Sequence, residues 1–244
     1  MSANRLKLNT DKTELLWTGT KHSLSLLDGS GPSLGLGDDT ITPSKHVRVL
    51  GVIISSDFGL AKHVSNVCAA GIFRLRQLHR IRRSLDSDLA ATLVHALVSS
   101  RKDYCNAIFV VAPKNVTDKL QQVLNGAAHI VSGMRKHDFG LTDLVRNKLH
   151  WLDVPDRVKY KLGMLMYRCQ HNQAPQYLMD HCLPVSDVVF RQSLRSASSH
   201  QLSVTHHWLS TYSCRAFSVA GPFGTHCLMT YMIRNVLQTF SDSH

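Results

Sequence analysis

The paired aspartates Asp38 and Asp39 are the residues that most suggest chemistry, because two adjacent carboxylates on a tight hairpin can hold two magnesium ions for phosphoryl transfer. A catalytic pair of this kind would be flanked by hydrophobic strand residues. Here Gly35-Leu36-Gly37 precedes the pair and Thr40-Ile41-Thr42-Pro43 follows it, a composition typical of a flexible turn. We therefore interpret the pair as part of a solvated loop.

Several other sequence patterns for catalysis or metal binding are missing. The sequence has no Cys/His arrangement typical of a nucleophile and its base, and no GxxxxGKS/T phosphate loop. Its 15 histidines include the adjacent His206 and His207 but no HExxH motif. We expect no catalytic residues, no metal and no cofactor. The absence of a CxxC pair among the six cysteines favours a reduced, intracellular chain. The cysteines are Cys68, Cys105, Cys169, Cys182, Cys214 and Cys227.

The strongest positive signal is basic charge. Lys and Arg number 28 against 17 Asp and Glu, which leaves a formal net charge of +11. This excess favours an anionic partner such as nucleic-acid phosphate, and a generally basic surface is the alternative. Much of the charge falls on one stretch whose candidate phosphate contacts are Arg74, Arg76, Arg80, Arg82 and Arg83, with Lys62, Lys102, Lys114 and Lys119 as further cations. The alternative for this stretch is the hydrated side of an amphipathic helix.

Helical periodicity begins near Ala61. Apolar residues spaced by three and four predict one amphipathic helix, on whose buried face we place Val64, Val67, Cys68, Gly71, Ile72, Leu75 and Leu78. Asp86 can cap a second helix and Thr117 can begin a third, so a small bundle is expected. A further pair is predicted at 141–149 and from Pro155, a natural first-turn proline.

Short strands with turns are predicted before this helical part. They comprise Leu6-Lys7-Leu8, Glu14 to Trp17 and Val47 to Ile54, and the last has the most buried composition. Too few strands lie here to close a sheet, so the segment is expected to need partners outside the chain. No apolar run of eighteen residues occurs, and the N-terminus lacks a signal-peptide core.

The segment Leu6 to Glu14 reads LKLNTDKTE, which resembles the LxLNxxKTE element of non-LTR (LINE-type, jockey-like) reverse transcriptases. The resemblance continues at Val49 to Asp57, which is similar to a strand of that family near the primer end. Blocks at 73–78, 100–106 and 120–125 resemble its thumb helices, and 149–162 and 174–178 resemble its post-thumb region. It extends over about residues 1 to 222.

The resemblance implies a position in the family enzyme for each part of the chain. Asn9, Lys12 and Thr13 would belong to a palm edge, with Lys12 near the incoming nucleotide. Residues 61–131 would form a thumb that grips duplex through its backbone. The family's catalytic aspartates, which use magnesium, lie upstream of LxLNxxKTE, so we expect the chain to begin too late to contain them and Met1 to be an internal methionine of the parent. No polymerase activity is therefore expected.

The far end departs from the family pattern. After Ala220-Gly221-Pro222 the family typically continues with a tryptophan and then Asn-Ser-Leu-Pro, whereas this chain has Gly224-Thr225-His226-Cys227-Leu228-Met229-Thr230. Codons for these seven residues can, in a neighbouring frame, spell Trp-Asn-Ser-Leu-Pro-Asp-Asp. We therefore hypothesise a frameshift near Phe223, and the underlying DNA would test it.

These observations predict a mainly α chain with a small N-terminal β part, an α+β fold. The expected parts are palm-edge strands at 1–57, a thumb-like bundle at 58–135, post-thumb helices at 136–184 and an irregular tail at 185–244. Three functions stay open: a nonfunctional truncated remnant of a mobile element, a weak sequence-independent nucleic-acid binder, and an accessory part of a split reverse transcriptase. RNA or DNA is the expected partner, with no small-molecule substrate or membrane. Oligomeric state and the choice between nucleus and cytoplasm stay open.

Overall fold

A computed structural model describes residues 9–27, 31–37, 39–133, 140, 144–145, 149–187, 202–204 and 216–221. The fold is mixed, with helices and two small antiparallel sheets, as the α+β prediction required. The chain divides into two compact units, Met1–Ala70 and Gly71–His244. The division falls inside the longest helix described, Ala61–Ile81. The predicted strand at 6–8 and the predicted frameshift from about 223 lie outside the described residues.

The first unit contains two hairpins. In the first hairpin, β1 (Leu34–Leu36) pairs antiparallel with β2 (Asp39–Ile41). In the second, β3 (His46–Val49) pairs antiparallel with β4 (Val52–Ser55). A short helix, α1, spans Lys21–Ser25 and is capped by Thr20, whose hydroxyl accepts a hydrogen bond from the Ser23 amide. The predicted strand at Glu14 to Trp17 is reduced to a single parallel bridge between Leu15 and Pro43.

The prediction of one buried strand over Val47 to Ile54 was wrong. The chain turns back at Leu50 and Gly51, whose φ angles are 47° and 86°. Positive φ at both central residues is the geometry of a two-residue hairpin turn that matches the twist of the strands. Leu50 is 84% exposed, although its apolar side chain had suggested burial. Of the β3–β4 hairpin strands, only Val52 and Ser55 are buried.

The helices follow in chain order. Helix α2 is Ala61–Ile81. The helices after it are α3 (Ser87–Val94), α4 (Ser100–Asp103), α5 (Lys114–Ser132), α6 (Val154–Gln170) and α7 (Gln176–Met179). A wide π turn at His95–Ser99 joins α3 to α4, so this helical stretch changes its winding without breaking. Three-residue or four-residue 3₁₀ turns lie at Thr10–Lys12, Arg82–Ser84, Asn106–Phe109 and Val185–Asp187.

Two predicted helix starts are confirmed and one was wrong. The Asp86 carboxylate accepts the Leu89 amide at 2.7 Å and begins α3. Pro155 lies in the first turn of α6. Helix α5, however, begins one turn before Thr117, because the carbonyl of Pro113 already accepts from Val116 and starts the helical ladder. The predicted helix at 141–149 falls mostly outside the described residues.

The core of the second unit lies between α3, α5 and α6. Its largest fully buried side chains include Val94, Leu120, Leu124 and Met166. Helix α2 contributes Leu75 and Leu78, while Gly71 lets α5 approach closely: a Cβ there would lie 2.9 Å from Cγ1 of Val123. Residues 216–221 also pack on this core, because a Cβ at Gly221 would overlap Sδ of Met166. Among the helices described, none has the length and apolar character needed to cross a membrane.

Candidate nucleic-acid interface

The part of α2 in the second unit presents arginines on the side opposite its buried face. Gly71, Leu75 and Leu78 are buried. Arg76 and Arg80 are exposed, and because they are four residues apart they lie on one side of the helix, about 6 Å apart along its axis. Arg83 is exposed in the 3₁₀ turn Arg82–Ser84 that follows α2. The exposed arginines Arg76, Arg80 and Arg83 are called the arginine row below.

Arg74 lies at the edge of the row and is partly engaged. It is half-buried, and Nη1 donates to Oε1 of Gln77 at 3.0 Å. Its guanidinium carbon lies 5.7 Å from the ring centroid of Phe73. This contact falls within the range of a cation–π attraction, so Arg74 and the Phe73 ring are held beside each other.

Arg82 does not belong to the exposed row, although the sequence analysis grouped it there. Its side chain is half-buried and donates three hydrogen bonds to backbone carbonyls: Nε to Ile130 at 2.5 Å, Nη2 to Val131 at 3.1 Å and Nη1 to Leu85 at 2.7 Å. Ile130 and Val131 lie in the last turn of α5, where carbonyls have no partner within the helix. The cation also complements the negative end of the helix dipole. Arg82 therefore joins the end of α5 to the turn after α2.

Phe73 is an exposed aromatic side chain that the sequence analysis did not select. It is 55% exposed and lies three residues before Arg76, on the same side of α2. Its neighbour Ile72, which was predicted to be buried, is 43% exposed. The signal that could have identified Phe73 was its spacing of three and seven residues from Arg76 and Arg80, the pattern of one helical row.

Lys12 lies in the first unit, separately from the arginines. It is exposed at the end of the 3₁₀ turn Thr10–Lys12, and Thr13 closes that turn by donating its hydroxyl to the carbonyl of Asn9 at 2.8 Å. The turn leaves the Lys12 side chain accessible. Lys12 and the arginine row belong to different units, so each is a candidate site of its own.

Of the further cations, Lys62, Lys114 and Lys119 are exposed, whereas Lys102 is buried. Its side chain is 3% exposed and Nζ lies 3.8 Å from Oδ1 of Asp103. Burial lowers the pKa of Lys102 to about 8, and the neighbouring Arg157 acts in the same direction, while Asp103 opposes them. The prediction that Lys102 is a surface cation was wrong, because its ammonium group is enclosed by protein.

Of the aspartate pair Asp38 and Asp39, the structure describes only Asp39. Asp39 is exposed and begins β2, paired with Leu36, while Asp38 lies outside the described residues. Gly37 before it has φ +67°, as a tight turn requires. Within the described parts of the chain, no group of three or more His, Cys, Asp or Glu side chains is placed to hold a metal ion.

An open cavity of about 300 Å³ lies beside α5 and the start of α6. Gln121 spans its wall, donating to Asn125 and Asp153 and accepting from the Val154 amide. The described lining contains the carboxylates of Asp118 and Asp153 and no Lys or Arg. A phosphate group would meet negative charge there, so the arginine row is the better candidate for nucleic acid.

Comparison with known proteins adds no relative to this description. No protein-family model matches the chain, and neither the curated proteins nor the solved structures include a match.

Proposed function

We propose that this chain binds nucleic acid through backbone phosphates, without sequence specificity and without polymerase activity, as a remnant of a non-LTR reverse transcriptase. The resemblance at LKLNTDKTE motivates the family, and the 244 residues hold no box of catalytic carboxylates next to that motif. Phosphoryl transfer in such enzymes depends on metal ions held by carboxylates. The parts that the resemblance identifies in these residues, a palm edge and a thumb, would bind nucleic acid without supplying such carboxylates.

The observation that carries the binding proposal is the arginine row. Arg76, Arg80 and Arg83 are exposed, and within the described part of the chain none of them is ion-paired with a carboxylate. An arginine already neutralised by a carboxylate would gain little from a phosphate. These three can each replace a counterion on the nucleic-acid backbone, which is the main source of non-specific affinity.

The test is the salt dependence of binding to a blunt RNA–DNA hybrid duplex. We expect the logarithm of the association constant to fall linearly with the logarithm of salt concentration. The triple variant Arg76→Gln, Arg80→Gln, Arg83→Gln should reduce the slope by about 0.9 for each phosphate that the chain no longer neutralises. The control variant Lys159→Gln, Lys161→Gln, Arg168→Gln removes the same charge from exposed positions on α6 and should change the slope less.

Extension of a primer by the purified chain is measured in the same samples. Salt-sensitive binding without extension is the expected result. Equal slopes in the two triple variants would contradict the arginine row as the interface. Extension by the isolated chain would contradict the proposed lack of polymerase activity, and no binding by a folded chain would leave only the remnant of a mobile element without a biochemical role.

A further inference from the structure

Phe73 extends the arginine row by one position. Phe73, Arg76 and Arg80 are spaced by three and then four residues, so they form one line along the exposed side of α2, about 10 Å long. The ring is 55% exposed, and the guanidinium carbon of Arg74 lies 5.7 Å from its centroid. An exposed aromatic ring is thus placed at one end of a cationic line.

The two kinds of side chain in this line favour different parts of a nucleic acid. Arginines contact phosphates whether the strand is paired or not. An aromatic ring gains most from stacking on the face of a base, and in a duplex the base faces are already covered by their neighbours. Away from the ends of a duplex, a ring on the outside of a helix can therefore stack only on a base that is unpaired.

From this arrangement we infer that the line Phe73, Arg76 and Arg80 binds single-stranded nucleic acid, with one unpaired base stacked on Phe73 and the adjoining phosphates on the two arginines. This inference rests on the proposed function and adds the form of nucleic acid that the site prefers. The charges of Arg76 and Arg80 favour a polyanion as the ligand. The exposed Phe73 ring favours a strand with unpaired bases over a duplex. Because every base has an aromatic face, no sequence preference is required.

Arg74 has a positioning role in this arrangement. Its hydrogen bond to Gln77, at 3.0 Å, holds the guanidinium group on the surface of α2. The contact with Phe73 then restricts the ring on one side, and a base would stack on the other. Replacement of Arg74 by Gln should weaken stacking less than loss of the ring itself.

The experiment compares a blunt RNA–DNA hybrid with the same hybrid carrying a single-stranded extension that contains one fluorescent adenine analogue. The unmodified chain should bind the extended hybrid more tightly and quench the analogue. Phe73→Leu should weaken binding to the extended hybrid by about 5- to 150-fold and abolish quenching, with little change for the blunt hybrid. Phe73→Trp should retain both binding and quenching. The control Tyr177→Leu, which removes a 67% exposed aromatic ring from α7, should change neither.

Each other outcome separates this inference from the proposed function. If the chain binds both hybrids with equal affinity, Phe73→Leu changes neither affinity and the salt slope persists, the single-strand inference is overturned while the proposed function stands. Equal weakening on both hybrids by Phe73→Leu also overturns it, since the ring would then support the helix. No binding of either hybrid by the folded chain overturns the proposed function, and this inference with it.

Discussion

Lys102 is a buried lysine with incomplete compensation for its charge. Its Nζ has no hydrogen-bond partner among the described residues, and its nearest carboxylate, on Asp103, is shared with Arg157, whose Nη1 lies 2.6 Å from Oδ2. Lys102 and Arg157 therefore share the carboxylate of Asp103, and all three side chains are largely shielded from solvent. Burying a charge in this way costs free energy unless the partner geometry is good.

Replacement of Lys102 by Met should stabilise the second unit at pH 7 by about 1–3 kcal/mol, because Met fills the same space without a charge and Asp103 keeps Arg157. The pKa of Lys102 is lowered from 10.5 to about 8 by folding, so the folded state binds fewer protons between these values. The cost is fully present below about pH 8 and disappears as pH rises through 10.5. Urea unfolding of both proteins at several pH values measures this difference.

The exposed Lys161→Met is the control and should show no such gain. Destabilisation by Lys102→Met at pH 7, or a gain that persists at high pH, would contradict a penalty for the buried charge.

Arg82 provides a second residue-scale prediction. Arg82→Lys keeps the positive charge but cannot reach three carbonyls at once, so the free energy of unfolding should fall by about 2–3 kcal/mol. The affinity of the folded variant for duplex, and its salt slope, should match those of the unmodified chain. Arg83→Lys at the neighbouring exposed position should leave stability unaltered. If Arg82→Lys changed the salt slope and not the stability, Arg82 would be a phosphate contact after all.

At the scale of elements, the close approach of α2 and α5 depends on Gly71. An Ala there favours helix by about 1 kcal/mol but places Cβ 2.9 Å from Val123, whose branched side chain has one preferred rotamer in a helix. We expect a net loss of about 1 kcal/mol for Gly71→Ala. In a double-mutant cycle with Val123→Ala, the double variant should be about 1–2 kcal/mol more stable than the two single losses predict.

The matched control is Gly35→Ala in β1, where nothing lies within 4 Å of the added Cβ. Its effect on unfolding should be small and independent of Val123→Ala. Additive effects of Gly71→Ala and Val123→Ala would show that the overlap is relieved elsewhere.

The helices were largely predictable because periodicity is repeated over many residues. Four turns of α2 with apolar residues three and four apart leave little choice of buried face, and Asp86 and Pro155 are local signals. The turn at Leu50 and Gly51 depends on two residues, and leucine at positive φ is uncommon, so composition alone suggested a continuous strand. Thr117 was a plausible cap, but Pro113 began the helix first.

The candidate site could be predicted only in part, for a reason that belongs to the whole molecule. Helical spacing located Arg76 and Arg80, because exposure there follows from the buried face of their own helix. Arg82 depends on Ile130 and Val131, 48 and 49 residues away in sequence, so its role required the tertiary contact between α5 and the turn after α2. Likewise, the exposure of Ile72 and Phe73 depends on which surfaces of α2 other elements cover.

The net charge of the whole chain also affects the interpretation of binding data. Removing the arginine row leaves 11 − 3 = +8, so the triple variant still attracts polyanions at a distance. Long-range attraction mainly changes the rate of association, whereas removing cations that touch phosphates mainly increases the rate of dissociation. The two triple variants should thus associate at similar rates, and the difference between them lies in dissociation.

Because residues 216–221 pack on Met166, oxidation of the Met166 sulfur would report movement of this segment away from the core. Met166 is fully buried, and Gly221 sits so close to Sδ that even a methyl group would not fit between them. A sulfoxide places an oxygen on that sulfur and turns an apolar side chain polar. Movement of this segment away from Met166 would uncover the sulfur to an oxidant, and a sulfoxide formed there would oppose the return of the segment.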